Sequence, residues 1–439
     1  MRNLLTYCFC FVFSCCVSAQ KKIHFNKERR SVKLSFKMVN NLIILPIKVN
    51  GVELNFLLDT GVEETILFSL DEKKEVFLHD VKNVKLIGLG TNEPVEGLKA
   101  YKNTFAFSDL QLIDQEIIVI LDENFNLSAS LGTEVNGIIG SHFFNKSIVK
   151  IDYARKKIVV YNPESFNQNK VLKKFQSFDI ELHDAKPYLT TKVELNGNLF
   201  PAKCLIDCGN SDGLWLFQNK TNVVIPKRNF DDYLGRGFSG DIHGKKAKVN
   251  ALSLNQHRFE NVITSFPDDD AFANINMVDN RLGSIGGEIL KRFTVVFDYQ
   301  NNKMYLKKNK YFNDKFKYNI SGIVVNHVGM QWYKEEIPLQ AIGVEKGNPY
   351  NQTEFTELKY KFKLLPIYEI LNIRKNSSAE KVGLCAGDVI LKINGYTVHK
   401  MNLENVNQLL RTDNKEEMTI LVARDGKELS FSFKIVDLL

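Results

Sequence analysis

The sequence predicts a mainly β protein built as two similar lobes, followed by a smaller α+β unit. Three observations carry this. An apolar strand ending in an aspartate occurs twice, as Phe56-Leu57-Leu58-Asp59-Thr60-Gly61 and Cys204-Leu205-Ile206-Asp207-Cys208-Gly209, 148 residues apart. The surroundings of each copy repeat as well, which is the mark of a duplicated unit. Beyond about residue 318 the pattern changes to short helices between strands.

The first twenty residues read as an export leader. Arg2 gives the positive start, Leu4 to Val17 the apolar stretch, and Val17-Ser18-Ala19 the small-residue cleavage site before Gln20. This assigns 1–19 as a signal peptide and an exported destination: periplasm, cell envelope or secreted. The apolar run is short for a bilayer span. A lipid-anchored leader at Cys15, after Ser14, is the alternative and the one route to a membrane partner.

Lobe 1 is assigned to residues 32–161. Leu45-Pro46-Ile47-Lys48-Val49 runs into Asn50-Gly51, a strong hairpin signal, and leads to the strand that ends at Asp59. Thr65-Ile66-Leu67-Phe68 follows as another strand. Downstream come Asn136-Gly137-Ile138-Ile139-Gly140 and Ile148-Val149-Lys150-Ile151-Asp152. Lobe 2, residues 179–306, repeats this order. Leu189 to Leu195 meets Asn196-Gly197, Leu214-Trp215-Leu216-Phe217 follows Asp207, and Leu282-Gly283-Ser284-Ile285-Gly286 and Phe293 to Asp298 close it. Period-two alternation dominates throughout. Polar, lysine-bearing stretches at 162–178 and 307–318 read as connectors. In the last unit, 318–439, Ser377 to Leu384 reads as a short helix and Asn402 to Arg411 as an amphipathic one. Asp425-Gly426 centres a closing hairpin.

Composition narrows the function classes. The formal charge of +7 is spread along the chain without a basic stripe, which argues against nucleic-acid binding. Outside the leader only Cys204, Cys208 and Cys385 remain, too few and too oddly spaced for a disulfide framework. No His-Glu-x-x-His helix or paired-cysteine spacing supports a metal, and no cofactor motif stands. Gly235-Arg236-Gly237-Phe238-Ser239-Gly240 satisfies a dinucleotide fingerprint, but an alternating strand pattern follows it rather than a helix.

The Asp59-Thr60-Gly61 triplet with Gly137-Ile138-Ile139-Gly140 resembles the aspartic proteases of the pepsin and retropepsin superfamily. The tandem copy implies a bilobal double β-barrel with one aspartate per lobe. The run Ala379-Glu380-Lys381-Val382-Gly383-Leu384-Cys385-Ala386-Gly387-Asp388-Val389-Ile390-Leu391-Lys392-Ile393-Asn394-Gly395 resembles a bacterial PDZ domain. The whole looks like the secreted bacterial aspartyl-protease family with a C-terminal PDZ domain.

The resemblance implies an aspartic endopeptidase whose Asp59/Asp207 dyad activates water against a polypeptide. Facing carboxylates share a proton and titrate as a unit, logic for which this enzyme class is a standing example. Thr60, Gly61, Cys208 and Gly209 are the expected supports of the dyad. The glycines are expected to let the backbone turn tightly. Glycine-bearing hairpins, at Gly88-Leu89-Gly90 and around Gly237, Phe238 and Gly240, are the expected flaps over the substrate. In the PDZ unit, Ser321, Gly322, Ile323 and Val324 are expected to take a peptide or protein C-terminus by strand addition. The stretch 331–363 then reads as an insertion.

Cys208 departs from the family, which usually carries Thr or Ser there. A thiol is a weaker donor than a hydroxyl. This motivates the alternative reading, a weakened or inactive peptide-binding protein acting as an envelope adaptor. Other notable residues carry plainer expectations. Asp152 and Asp298 read as turn residues, Trp215 as core, Cys385 as a buried small side chain, and the histidines as scattered and unassigned.

Overall fold

The computed structural model describes residues 23–25, 30–68, 70, 74–86, 95–121, 126–218, 223–237, 240–273, 275–337, 359–411 and 416–439. The leader and the Gly88-Leu89-Gly90 loop lie outside them, as does Phe238.

Each lobe is a twisted sheet centred on the strand that delivers its aspartate. In lobe 1, Val52–Leu58 pairs antiparallel with Leu42–Val49 and parallel with Gly137–Ile139. In lobe 2, Asn198–Ile206 pairs antiparallel with Lys186–Leu195 and parallel with Arg281–Ile285. The incoming hairpins turn on Asn50-Gly51 (φ 47° and 93°) and Asn196-Gly197 (φ 51° and 80°). Positive φ at both central positions matches the turn's twist to that of the strands, which is why Asn-Gly serves here.

The two lobes are less separate than the repeat suggested. Ile148–Asp152 pairs with Phe293–Asp298, so both lobes contribute to one six-stranded sheet. That sheet also takes Ser31–Ser35 at one edge and Gln176–Asp179 at the other. Inner faces of both lobes feed one continuous core, which includes Phe56, Phe144, Ile206, Leu216 and Phe297. Asp152 and Asp298 sit at strand ends and accept N–H bonds from Arg155 and Asn301.

The connector after lobe 2 is not a loose tether. Arg292 is 1% exposed, and its Nη1 donates to the carbonyls of Phe312 and Asp314. Its guanidinium also lies 4.0 Å from the Phe316 ring centre.

The C-terminal unit is a six-stranded sheet with helices Ser378–Lys381 and Leu403–Leu410. Ile323, Ile370, Ile393, Val406 and Ile420 form its core. Of stretch 331–363, residues 331–337 and 359–363 form the outer arms of a ribbon, Ile323–Ile337 against Lys359–Ile373, and 338–358 lie outside the described residues. Cys385 is exposed, contrary to expectation, because the turn before Asp388 lies on the surface.

This unit is strapped to lobe 2. Arg374 Nε donates to Asp232 Oδ1 at 3.0 Å, with both side chains under a tenth exposed. Arg228 donates to the Asp437 and Leu438 carbonyls, and Lys248 to that of Leu439. Helix Leu127–Leu131 of lobe 1 packs beside Ile323–Ile337.

Candidate active site

The sheets bring the two aspartates together. Asp59 N–H donates to Ile139 O at 3.0 Å, and Asp207 N–H to Ile285 O at 2.9 Å. Each aspartate thus leaves its strand at the same point, pinned by the neighbouring parallel strand. Gly61 N–H then donates to Asp59 Oδ1 at 2.7 Å, and Gly209 N–H to Asp207 Oδ1 at 3.0 Å. The two carboxyl groups lie close enough for each to act on the other's titration.

The loops brace one another across the lobe boundary. Thr60 Oγ1 donates to Ile206 O at 2.6 Å and accepts from Cys208 N–H at 3.0 Å. The reciprocal bond runs from Cys208 Sγ to Leu58 O at 3.3 Å. Burial pushes the Cys208 thiol up, so it stays protonated and remains a donor. It is not poised as a nucleophile.

The glycines serve a purpose other than the tight turning expected of them. Neither Gly61 nor Gly209 has positive φ. Instead, each backbone lies against the opposite carboxylate. A Cβ on Gly209 would come within 2.5 Å of Asp59 Oδ1 and nearer still to its Cγ and Oδ2. One on Gly61 would stand 3.0 Å from the Asp207 carboxylate. Glycine is needed here for close approach, not for left-handed backbone.

Electrostatics make the pair unequal. Burial raises Asp59 well above the ordinary carboxylate range, and the Asp207 charge raises it further. Burial raises Asp207 too, but Arg281 and the bond from Asp59 oppose the rise. The two carboxyls therefore titrate as one buried pair, with Arg281 favouring the ionised form of Asp207. Arg281 is held by Gly283 O and Ser284 Oγ, and its guanidinium stacks 5.1 Å from the Phe217 ring centre. Sequence reasoning missed Arg281. The signal lay in the repeat, where Val135 of lobe 1 stands opposite it.

Five residues past Asp207, Asp212 starts a chain of charges. It accepts from Trp215 Nε1 (2.8 Å) and Ser265 Oγ (2.7 Å), with Lys246 Nζ at 3.9 Å. Burial pushes Asp212 up, but Lys246 and these donors outweigh it and hold it below the ordinary range. Lys246 reaches Asp232 at 3.2 Å, and Asp232 meets Arg374. Trp215 is nearly buried, with its indole N–H satisfied by Asp212.

A cavity of about 780 Å³ opens above the pair, lined by Asp59, Asp207, Gly61, Gly209 and the Gly235-Arg236-Gly237 end of a long hairpin. In that hairpin Gly237 pairs with Gly240, so strands rather than a helix flank the glycines. The lobe-1 counterpart is Lys82–Leu86 against Val95–Phe107, whose tip lies outside the described residues. In the C-terminal unit, Ser321 is buried and its hydroxyl donates to Asn319 Oδ1. Gly322 has φ 76°, Ile323 points into the core, and Val324 lines the cavity. Among the described residues no group of three or more His, Cys, Asp or Glu side chains gathers to hold a metal. No helix there is long and apolar enough to cross a membrane.

Comparison with known proteins places these features. Residues 45–143 match the family described as aspartyl protease, and residues 369–424 match the PDZ domain. The crystal structure of aspartic proteinase from Irpex lacteus is similar over 65% of this chain and 99% of that one, at 12% identity and a TM-score of 0.42. No curated protein sequence matches the chain. The chain thus has two β-rich lobes, the first matching the aspartyl protease family over residues 45–143, and a C-terminal unit matching the PDZ domain over residues 369–424.

Proposed function

We propose that the chain is an aspartic endopeptidase in which Asp59 and Asp207 form the catalytic dyad. The reading is carried by one observation: two carboxylates on matching loops, each set against the other loop's glycine, under a cavity of peptide-binding size. A buried pair sharing one proton supplies a base and an acid at once. The ionised Asp207 takes a proton from a water, whose oxygen adds to the peptide carbonyl carbon. Asp59 gives its proton to the carbonyl oxygen. The C–N bond then breaks, a proton passes to the leaving nitrogen, and an acid and an amine result. The hairpin ending at Gly237 and Gly240 and its lobe-1 counterpart close over the substrate. No metal or cofactor enters this scheme. With the leader over 1–19, we propose an exported enzyme with lobes over 32–161 and 179–306 and a PDZ domain over 318–439.

The test is cleavage of denatured protein by the mature chain from acid to neutral pH. Wild type is expected to cut, and Asp59→Ala is not. Equal and negligible cleavage by both at every pH would remove the enzyme reading and favour a cleft that binds without turnover.

Cys208 motivates that second reading, and its replacement tests it. Cys208→Thr restores a hydroxyl donor toward Leu58 O. The expected gain is about 0.5–1.5 kcal/mol in denaturant unfolding, the net worth of one hydrogen bond, with kcat/KM unchanged or higher. No change in either stability or activity would discard the loosened-brace idea.

Arg281 gives a pH signature. Removing a cation that favours ionised Asp207 raises the carboxyl's pKa. Arg281→Met is therefore expected to move the acid limb of the kcat/KM profile to higher pH by about one unit. A uniform loss of activity with an unmoved limb would assign Arg281 to packing alone.

A further inference from the structure

The lobe-2 side of the cavity is closed by one hairpin, Asn229–Gly237 paired with Gly240–Leu254. Its Gly235-Arg236-Gly237 end lines the cavity that holds Asp59 and Asp207. The C-terminal unit meets lobe 2 at the base of this same hairpin. Arg374 Nε donates to Asp232 Oδ1 at 3.0 Å, and its guanidinium lies 4.1 Å from the Phe230 ring centre. Tyr318 packs against that ring as well, at 5.3 Å. Arg228, just before the outgoing strand, and Lys248, on the returning one, donate to carbonyls of residues 437–439.

This is a grip on the hairpin, not a tether. Arg374 has a side chain only 2% exposed and is fixed in its own unit, where Nη2 donates to Asn319 O at 2.7 Å. Lys246, the other partner of Asp232, is shared with Asp212. Loss of Arg374 would leave a buried carboxylate short of countercharge. The C-terminal unit also bears on lobe 1. A Cβ on Gly132, the C-cap of helix Leu127–Leu131, would lie 2.4 Å from Leu403 Cβ. The unit therefore gives the hairpin a fixed reference outside lobe 2.

The grip sits where the strand changes direction. Pairing slips between Tyr233 and Gly235, and Gly235 has φ 141°. An irregularity of this kind bends a strand and re-aims what lies beyond it. Asp232 stands just before the bend, and the Gly237 end follows about 17 Å further along an extended strand.

We propose that Arg374 is a positioning residue for the reaction. Through Asp232 it fixes the angle at which the lobe-2 hairpin lies over the aspartate pair, so the C-terminal unit is part of the frame of the active site. Arg374 itself touches no substrate. This rests on the peptidase reading above.

Hydrogen exchange and cleavage kinetics on the full mature chain test it with Arg374→Gln. Amides of 233–237 and 240–243 are expected to exchange about tenfold faster, the worth of a charge-assisted bond, while strand Val52–Leu58 keeps its wild-type rate. On unfolded protein, kcat/KM is expected to fall about tenfold, with kcat lowered and KM raised together, as for a hairpin that must close over substrate. Unchanged exchange in the hairpin, or an equal rise in Val52–Leu58, would overturn the proposal. So would a lower kcat at unchanged KM, which reports only fewer folded molecules. If wild type cuts nothing, the peptidase reading fails, and exchange alone decides whether the C-terminal unit holds the hairpin. Should Arg374→Gln not fold, Phe230→Ala replaces it, since it removes the stacked ring and keeps the ion pair. The same local change is then expected at about threefold, and its absence overturns the grip.

Discussion

An Asp59→Asn chain folds and loses about 10³-fold or more of wild-type kcat/KM on unfolded protein. The amide keeps the shape of the carboxyl group but cannot deliver the proton that Asp59 holds. Acid–base groups of this kind typically contribute ~10²–10⁴-fold, and here one substitution removes the acid from a shared pair. Such a loss corresponds to about 4 kcal/mol of transition-state stabilisation. A second readout follows from linkage. Burial and Asp207 raise Asp59 well above its unfolded value. Its contribution to stability is therefore fully present below the unfolded pKa and is lost as pH rises through the folded one. Asparagine lacks that dependence. The variant is expected to melt above wild type at neutral pH, with the gap shrinking as pH falls. Wild-type activity in Asp59→Asn would end the dyad assignment. A pH-independent difference in Tm would end the account of the buried proton.

Gly209→Ala is the second large effect, and it comes from a methyl group. The new Cβ needs the space held by the Asp59 carboxylate, within 2.5 Å of its Oδ1. The carboxyl or the loop must move, and the loop is tied by Thr60 to Ile206 O and Cys208 N–H. Overpacking of this kind costs about 1–3 kcal/mol in stability. Misplacing a catalytic group by about 1 Å costs on the order of 10²-fold in rate. Gly61→Ala meets the Asp207 carboxylate at 3.0 Å, so its effect should be smaller in both assays. Equal effects of the two alanines, by kcat/KM and by thermal unfolding, would show that close approach is not what the glycines provide.

Much of this was legible in the sequence because the fold was duplicated. A repeat displays its own alignment, so Asp59 and Asp207 could be paired without any other chain. The Asn-Gly turns, the alternating strands and the PDZ run are local patterns, and the structure carries all of them. The site was harder where partners are distant in sequence. Arg281 has no motif of its own, and its influence on Asp207 arises from the parallel pairing of Arg281–Ile285 with Asn198–Ile206. Asp212, Lys246, Asp232 and Arg374 come from separate strands and from two domains, so no spacing rule connects them.

The sequence by itself determined the element types, the two lobes and the identity of the carboxylates, because hydrophobic period and turn chemistry are written residue by residue. The tertiary structure alone decided three further matters. The lobes share one sheet, because Ile148–Asp152 finds its partner in the other half of the chain. Each glycine faces the opposite aspartate, because the two loops cross at the lobe boundary. The PDZ wall opens onto the cavity above the aspartate pair, because a buried ion pair and the terminal segment fix that domain against lobe 2. All three depend on contacts between residues far apart in the chain, where local pattern carries no information.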